Sequence, residues 1–231
     1  MSVNRTTVRY VKNATGPRSG SSTRSDALPL AGASATERAD ARRNRLKILD
    51  AAERLFAANG IANVSMDAVA KAAGVGKGTL FRRFGDRAGL AVALLDERER
   101  ELQERILHGP APLGPSASPR NRLLAFLAAY ADFLEAHGDV VLESETAVAG
   151  ARYRVGVYHF WHRHVTVLLE QAAPDVDAEY QAHALLAPLA ADLYHALRRA
   201  DFPAKRIKDG VRALAIALLD APPSRARKTR R

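Results

Sequence analysis

Apolar positions recur three or four residues apart along most of the chain, and this periodicity predicts an all-α fold. In the first such stretch they are Leu46, Leu49, Ala52, Leu55 and Phe56. Asn59-Gly60 then ends this helix, since both residues favour the backbone conformation that follows a helix terminus.

Three further helices are expected in quick succession. Ser65 is a good N-cap for a short helix that ends at Ala73-Gly74. A third helix runs from about residue 77 to Phe84 and is stopped by Gly85. Asp86 then caps a long fourth helix that continues to about residue 107.

The rest of the pattern is also helical. A proline-punctuated loop covers residues 109–119. Helices are then expected at about 119–137, 139–148, 152–173, 177–199 and 203–220. Pro174 and Pro203 mark two of the boundaries, and Pro188 is expected to kink the helix that contains it.

The two ends of the chain lack this periodicity. Residues 1–40 are rich in Gly, Ser, Thr and Pro and carry six basic and three acidic side chains. Residues 221–231 carry five basic side chains and no acidic one. Such segments bury too little apolar area to offset their ordering entropy, so we expect a disordered basic arm and a disordered basic tail.

Charge is distributed unevenly between the tails. Residues 41–90 carry ten basic and four acidic side chains, whereas residues 91–220 carry fourteen and eighteen. A basic block on a mildly acidic body indicates that the block alone contacts a polyanion, unless it is simply a solvated face.

Composition excludes several classes of function. No cysteine occurs, which rules out disulfides, thiolate metal sites and cysteine nucleophiles. No apolar run approaches the roughly 18 residues that span a bilayer, and the first forty residues lack the apolar stretch of a secretory signal. We therefore expect a cytoplasmic protein without a membrane partner.

The arrangement of the second and third helices is typical of a helix-turn-helix. They are separated by Ala73-Gly74-Val75-Gly76, where Gly74 permits a positive φ and Val75 turns into the core. In such a unit the second helix of the pair lies in the DNA major groove. Its exposed side chains should come from Lys77, Thr79, Phe81, Arg82 and Arg83.

This region resembles the tetracycline-repressor (TetR) family of regulators over about fifty residues, in order and at the family's spacing. The matching residues are Ile48-Leu49-Asp50-Ala51-Ala52, Leu55-Phe56, Gly60, Val64-Ser65-Met66-Asp67, Val69-Ala70, Ala73-Gly74-Val75, Lys77-Gly78-Thr79-Leu80-Phe81, Phe84, Arg87 and Leu90. The resemblance implies a homodimer that places two recognition helices on a pseudo-palindromic operator in double-stranded DNA.

The resemblance also assigns roles to residues. Ser65 and Arg87 would bind phosphates, as would the start of the recognition helix. Arg82 and Arg83 are the best candidates for reading guanine, because arginine can bond O6 and N7 together. The full expected DNA-binding set is Arg45, Ser65, Met66, Lys77, Gly78, Thr79, Phe81, Arg82, Arg83 and Arg87.

Three positions depart from the family pattern. Phe81 replaces the usual Tyr, so a hydroxyl bond to phosphate is lost. Gly76 replaces the usual Ser or Thr cap, and Gly89 inside the fourth helix costs about 1 kcal/mol of helix stability. Phe56, Leu80 and Phe84 are expected in the core rather than at DNA.

Residues 91–220 are interpreted as a helical domain for ligand binding and dimerisation, joined to the helix-turn-helix domain of residues 41–90 by the long helix. Pockets of this kind are mostly apolar with a few polar groups. The expected ligand-binding residues are Phe126, Tyr130, Phe133, Tyr158, Trp161 and His162. The alternative is that these aromatic side chains only pack in the core.

No metal or other cofactor is expected. His159, His162 and His164 lie close in sequence, but no carboxylate there completes a set of three or four ligands.

The Ala- and Leu-rich helices near the end of the chain suit a bundle shared by two subunits.

The sequence thus predicts a DNA-binding transcriptional regulator, a repressor released by an unidentified small-molecule effector. A non-specific DNA-binding protein that uses its basic tails is the alternative, and it would show steep salt dependence with little sequence preference. An enzyme is not expected, because paired carboxylates, a nucleophile elbow and a phosphate loop are all missing from the sequence.

Overall fold

The computed structural model describes residues 35–146, 150–154 and 156–222, which are helical with no β-strand in those ranges. The helices are α1 (Ala35–Asn59), α2 (Met66–Ala73), α3 (Lys77–Phe84), α4 (Arg87–His108), α5 (Pro119–Thr146), α6 (Gly156–Ala172), α7 (Ala178–Leu186), α8 (Ala191–Arg199) and α9 (Ala204–Leu219). Short 3-10 turns cover Ile61–Asn63, Ala151–Arg154 and Ala187–Leu189. The all-α prediction is confirmed.

The turn between α2 and α3 forms as the sequence predicts. The Ser65 side chain accepts a hydrogen bond from the Ala68 N–H at 3.1 Å, which caps α2. Gly74 ends α2 with φ +66°, and the Val75 N–H donates to the Ala70 carbonyl at 3.0 Å. This C-terminal motif needs the left-handed conformation, so a side chain at position 74 would be strained.

Gly89, expected only to weaken α4, is required by the corner between α3 and α4. A Cβ atom at this position would lie 2.2 Å from the Phe84 carbonyl oxygen. Asp86 caps α4 by accepting from the Gly89 N–H at 2.8 Å, so the two helices approach closely at this point.

Helix α5 differs from its prediction. A break was expected near residue 138, but α5 continues through Gly138 as one helix. The His195 ring packs against this glycine, and a Cβ atom there would lie 2.7 Å from His195 Nε2. Gly138 therefore serves the close approach of α8 to α5 rather than helix termination.

Two other predicted helices are interrupted. Pro188 was expected to kink a single helix over 177–199, but the chain leaves the helical conformation after it, with Ala190 extended at ψ 136°. The result is α7, a 3-10 turn and α8. The helix expected over 152–173 begins as a 3-10 turn, and α6 starts at Gly156.

The basic arm expected over residues 1–40 is too long, because Ala35 to Asp40 belong to α1. Residues 1–34 of the arm and 223–231 of the tail lie outside the described residues. The described residues from Ala41 onward form one compact unit. The boundary proposed between residues 90 and 91 falls inside α4.

One continuous apolar core runs through this unit. Ile48, Leu80 and Leu90 are fully buried in the helix-turn-helix, and Leu102 and Ile106 extend the same core along α4. In the ranges described above, no helix combines the length and apolar character that a bilayer crossing requires.

Candidate nucleic-acid interface

Helix α3 buries one side and presents a cationic side to solvent. Leu80 is fully buried and Phe84 nearly so, whereas Phe81 is 41% exposed. The other exposed residues of this helix are Lys77, Gly78, Thr79, Arg82 and Arg83. The side chains expected at DNA therefore share the face that packing leaves open.

At the start of α3, Lys77 is paired with an acid that the sequence did not single out. Its Nζ lies 2.8 Å from Asp67 Oδ2, and both side chains are about 60% exposed. The ammonium also lies 5.7 Å from the Phe81 ring centroid. An exposed pair of this kind contributes less than about 1 kcal/mol, so a phosphate can displace Asp67.

The two arginines at the end of α3 differ. Arg83 Nη1 donates to the Ala41 carbonyl of α1 at 3.1 Å. Arg82 is exposed, and the described part of the chain offers its side chain neither a hydrogen bond nor an ion pair. Arg82 is therefore the more available of the two for contact with a base.

The flanking residues Ser65 and Arg87 are exposed as expected. The Ser65 oxygen accepts from α2, which leaves its hydroxyl hydrogen available to a phosphate oxygen. Arg87 Nη1 donates to the Ala62 carbonyl at 2.5 Å, which holds its guanidinium beside the turn before α2.

The side chains of two residues in the expected DNA-binding set contact the core or other helices of the protein. Met66 is only 8% exposed and packs in the core at the start of α2. The Arg45 guanidinium lies over the Phe84 ring, 5.4 Å from its centroid, and 3.9 Å from Glu97 Oε2. Arg45 thus ties α1 to α3 and α4, and its family-like position did not reveal this.

The aromatic residues expected at a ligand are in contact with one another. Phe126 is fully buried and stacks on Tyr130, with ring centroids 5.9 Å apart. Trp161 lies 5.6 Å from the first ring and 5.7 Å from the second. Phe133 continues the stack from Tyr130 at 6.0 Å. The structure therefore brings these four side chains together as packing.

Tyr158 and His162 meet a third residue that the sequence did not indicate. Tyr158 Oη lies 2.6 Å from His183 Nδ1, and the rings of His162 and His183 are 3.9 Å apart. Burial, and then the charge of His162, lower the pKa of His183. Among the described residues, no group of three or more His, Asp or Glu side chains is placed to hold a metal ion.

A cavity of about 410 Å³ lies where α4, α5 and the start of α6 meet. Its walls are mostly apolar, and its charged residues are all acidic: Asp96, Glu99 and Glu143. Burial, with the nearby charges of Asp96 and Glu145, raises the pKa of Glu99 to about 7. No residue of this cavity was in the expected ligand set, because its lining comes from three helices far apart in sequence.

Comparison with known proteins identifies the N-terminal domain. Residues 48–94 match the family model of the bacterial regulatory proteins of the tetR family. Two HTH-type transcriptional regulators of Staphylococcus aureus, from strains USA300 and N315, are each 39% identical over 71 residues. The matched segment spans 31% of this chain and only 37% of those relatives.

Solved structures share the fold over a longer stretch. A TetR-like regulator from Rhodococcus sp. RHA1 aligns with 78% of this chain and 97% of its own at TM-score 0.54 and 22% identity. The fatty acid degradation regulator FadR of Bacillus halodurans aligns with 76% and 94% at TM-score 0.54 and 16% identity. Residues 48–94 thus match the tetR family of bacterial regulatory proteins, and the solved structures share the fold of the longer stretch.

Proposed function

We propose that this protein is a sequence-specific transcriptional regulator that binds a pseudo-palindromic operator as a homodimer in the bacterial cytoplasm. The observation that carries the proposal is the exposed cationic face of α3, which remains after Leu80 and Phe84 are buried. A helix presented in this way after a Gly74 turn fits the major groove.

Contacts to DNA divide into two kinds. Ser65 caps α2, Lys77 begins α3 and Arg87 begins α4, and we assign these three residues to contacts with phosphate, which set the register. Arg82 has no partner among the described residues and is the first choice for a bidentate contact to guanine O6 and N7.

Pairing of two subunits is supported by apolar side chains on α8 and α9. Leu193 is 43% exposed and Leu214 is 54% exposed. Small exposed residues such as Ala196, Ala213 and Ala217 surround them in sequence and permit close helix packing. A two-fold pairing through these helices would set two copies of α3 about 34–36 Å apart, one turn of DNA.

Release by a small molecule is supported by the cavity beside α4. This helix begins just after α3 and lines the cavity from Ala88 to Glu99. A ligand that favours one position of α4 over another shifts DNA affinity by that difference in free energy. We expect Val92→Trp, which adds bulk to the cavity wall, to leave DNA binding intact and abolish release by such ligands.

The test of the function is selection of duplexes from fragments of the source genome, followed by titration of the selected duplex. We expect clear enrichment of particular duplexes over the rest. Arg82→Ala should weaken binding to the selected duplex by about 1–3 kcal/mol and relax the sequence preference at one base pair in each half-site. Arg105→Ala, an exposed arginine near the end of α4, is the matched control. Equal binding to all duplexes with steep salt dependence would overturn the proposal in favour of non-specific DNA binding.

A further inference from the structure

Helix α1 starts well before the segment that matches the family. The match begins at residue 48, whereas α1 begins at Ala35. The intervening stretch includes Arg42, Arg43, Arg45 and Lys47. This basic part of α1 is therefore assigned no role by the comparison with the family model.

Two contacts fix the turn of residues 41–45 against the last turn of α3. Arg83 Nη1 donates to the Ala41 carbonyl at 3.1 Å. One turn further along α1, the Arg45 guanidinium lies 5.4 Å from the Phe84 ring centroid. Both contacts join residues 41–45 of α1 to the C-terminal end of α3. This turn of α1 therefore adjoins the cationic face of α3.

Arg42 lies on this turn and has no protein partner within the described residues. It is exposed, and it forms no hydrogen bond or ion pair there. It precedes Arg45 by three residues, so the two side chains share one side of α1. Arg45 is turned inward over Phe84, whereas Arg42 is an exposed cation on the turn of α1 that adjoins the end of α3.

We propose that Arg42 binds a backbone phosphate of the duplex, beyond the bases that α3 contacts, and that Arg83 positions it by holding Ala41. This rests on the proposed function, because it extends the same interface. Duplex DNA is favoured over an acidic protein because Arg42 continues the cationic face formed by Arg82 and Lys77. The hydrogen bond of Arg83 to a carbonyl also makes it a positioning residue instead of a base reader.

The experiment measures the affinity of the full chain for two duplexes at roughly 50–200 mM salt. One duplex is selected by the wild-type protein, and the other is a scrambled duplex of equal length. Arg42→Ala is compared with Arg54→Ala, an exposed arginine on the same helix with no partner among the described residues. Thermal unfolding of both variants should match the wild type.

For one lost phosphate contact, the slope of log K against log salt should fall by about 0.9. The ratio of wild-type to Arg42→Ala affinity should then rise about 3.5-fold as salt is lowered from roughly 200 to 50 mM. The loss should be equal on the two duplexes, since phosphate contacts do not read sequence. Arg54→Ala should leave slope and affinity unchanged.

An unchanged slope and affinity for Arg42→Ala would overturn the inference, and so would a loss confined to the selected duplex. If the wild type does not distinguish the two duplexes, the proposed function fails instead, while the slopes still test Arg42. The positioning role of Arg83 is tested with Arg83→Gln. Adding Arg42→Ala to that variant should cause a much smaller loss than in the wild type, whereas additive losses would refute the role.

Discussion

At the scale of single residues, the glycines of this chain serve different purposes. Gly89 is needed because the Phe84 carbonyl oxygen occupies the space of a side chain. Within one subunit, a Cβ atom at Gly210 in α9 would contact nothing within 4 Å. The two positions therefore offer a matched pair of substitutions within helices.

We expect Gly89→Ala to lower the free energy of unfolding by about 1–3 kcal/mol, because α3 and α4 must move apart to admit the methyl group. Gly210→Ala should instead raise it by up to about 1 kcal/mol, through better helix propensity. Urea unfolding followed by circular dichroism measures both changes. Equal effects of the two substitutions would show that the corner is not as tight as the structure indicates.

Glu99 gives stability a pH dependence. Its pKa of about 7 in the folded protein exceeds the ordinary value of 4.5, because burial and nearby carboxylates disfavour its charge. Between these two pH values the folded state holds a proton that the unfolded chain releases, so rising pH weakens folding across this window.

We therefore expect Glu99→Gln to be more stable than the wild type at pH 8, on the order of 1–3 kcal/mol, since one pKa unit corresponds to about 1.4 kcal/mol. The difference should vanish as pH falls to about 4. Glu104→Gln, on the exposed side of α4, serves as the control and should show no such trend. The measurement is the urea midpoint across this pH range.

The sequence predicted which side chains of α3 are exposed but not the residues that they contact. The exposure of Lys77, Thr79 and Arg82 could be predicted because the turn before α3 fixes where the helix begins and its apolar residues define the buried face. The Arg83 contact to Ala41 joins residues 42 positions apart, and no local pattern encodes such a contact. The burial of the Met66 side chain was not predicted, because a family-like position does not indicate which way a side chain packs.

At the scale of helices, the start and end signals of α2, α3 and α4 were predicted correctly because capping is local. Gly138 and Pro188 were misread because their effects depend on neighbours. The first glycine accommodates a ring from α8, which only the tertiary structure reveals. Pro188 lies within the 3-10 turn Ala187–Leu189 that follows α7, and Ala190 after it is extended, so α8 begins as a separate helix.

Helices α1 and α4 are joined by Arg98, which lies 2.6 Å from Asp50 Oδ1 and from Glu53 Oε2. It also pairs with Glu101 on its own helix at 2.7 Å. The Arg98 side chain is only 14% exposed, so the interaction is shielded from water and salt. The hydrogen bonds to these carboxylates raise the pKa of Arg98 against the opposing effect of its burial.

We expect Arg98→Met to lower the free energy of unfolding by about 1–3 kcal/mol, because three carboxylates lose their shared cation. Arg105→Met on the exposed side of the same helix should change it by less than about 0.5 kcal/mol. Guanidinium unfolding curves of the two variants provide the comparison. A loss as small as that of the control would mean that α1 is held to α4 by apolar packing alone.

At the scale of the whole molecule, the proposed dimer depends on α8 and α9. We expect Leu193→Glu combined with Leu214→Glu to give a monomer in analytical ultracentrifugation, since two buried charges would face two others across the axis. The DNA affinity of this variant should also fall, because a single helix-turn-helix domain contacts only half of the site.

Leu107→Glu, a leucine of α4 with 47% exposure, is the control for that double substitution. It should remain dimeric if the pairing surface is where we place it. A dimer that survives the double substitution would move the pairing surface to other helices.

Helix α4 belongs to both ends of the molecule. Leu90 and Leu94 near the start of α4 and Leu102 and Ile106 near its end all belong to one buried apolar core. A chain cut after residue 90 would lose Leu94 from that core and leave the rest of its apolar surface uncovered. Exchanging the helices that follow α3 for those of a related protein would thus require a junction within α4, with the same rotational register on both sides of it.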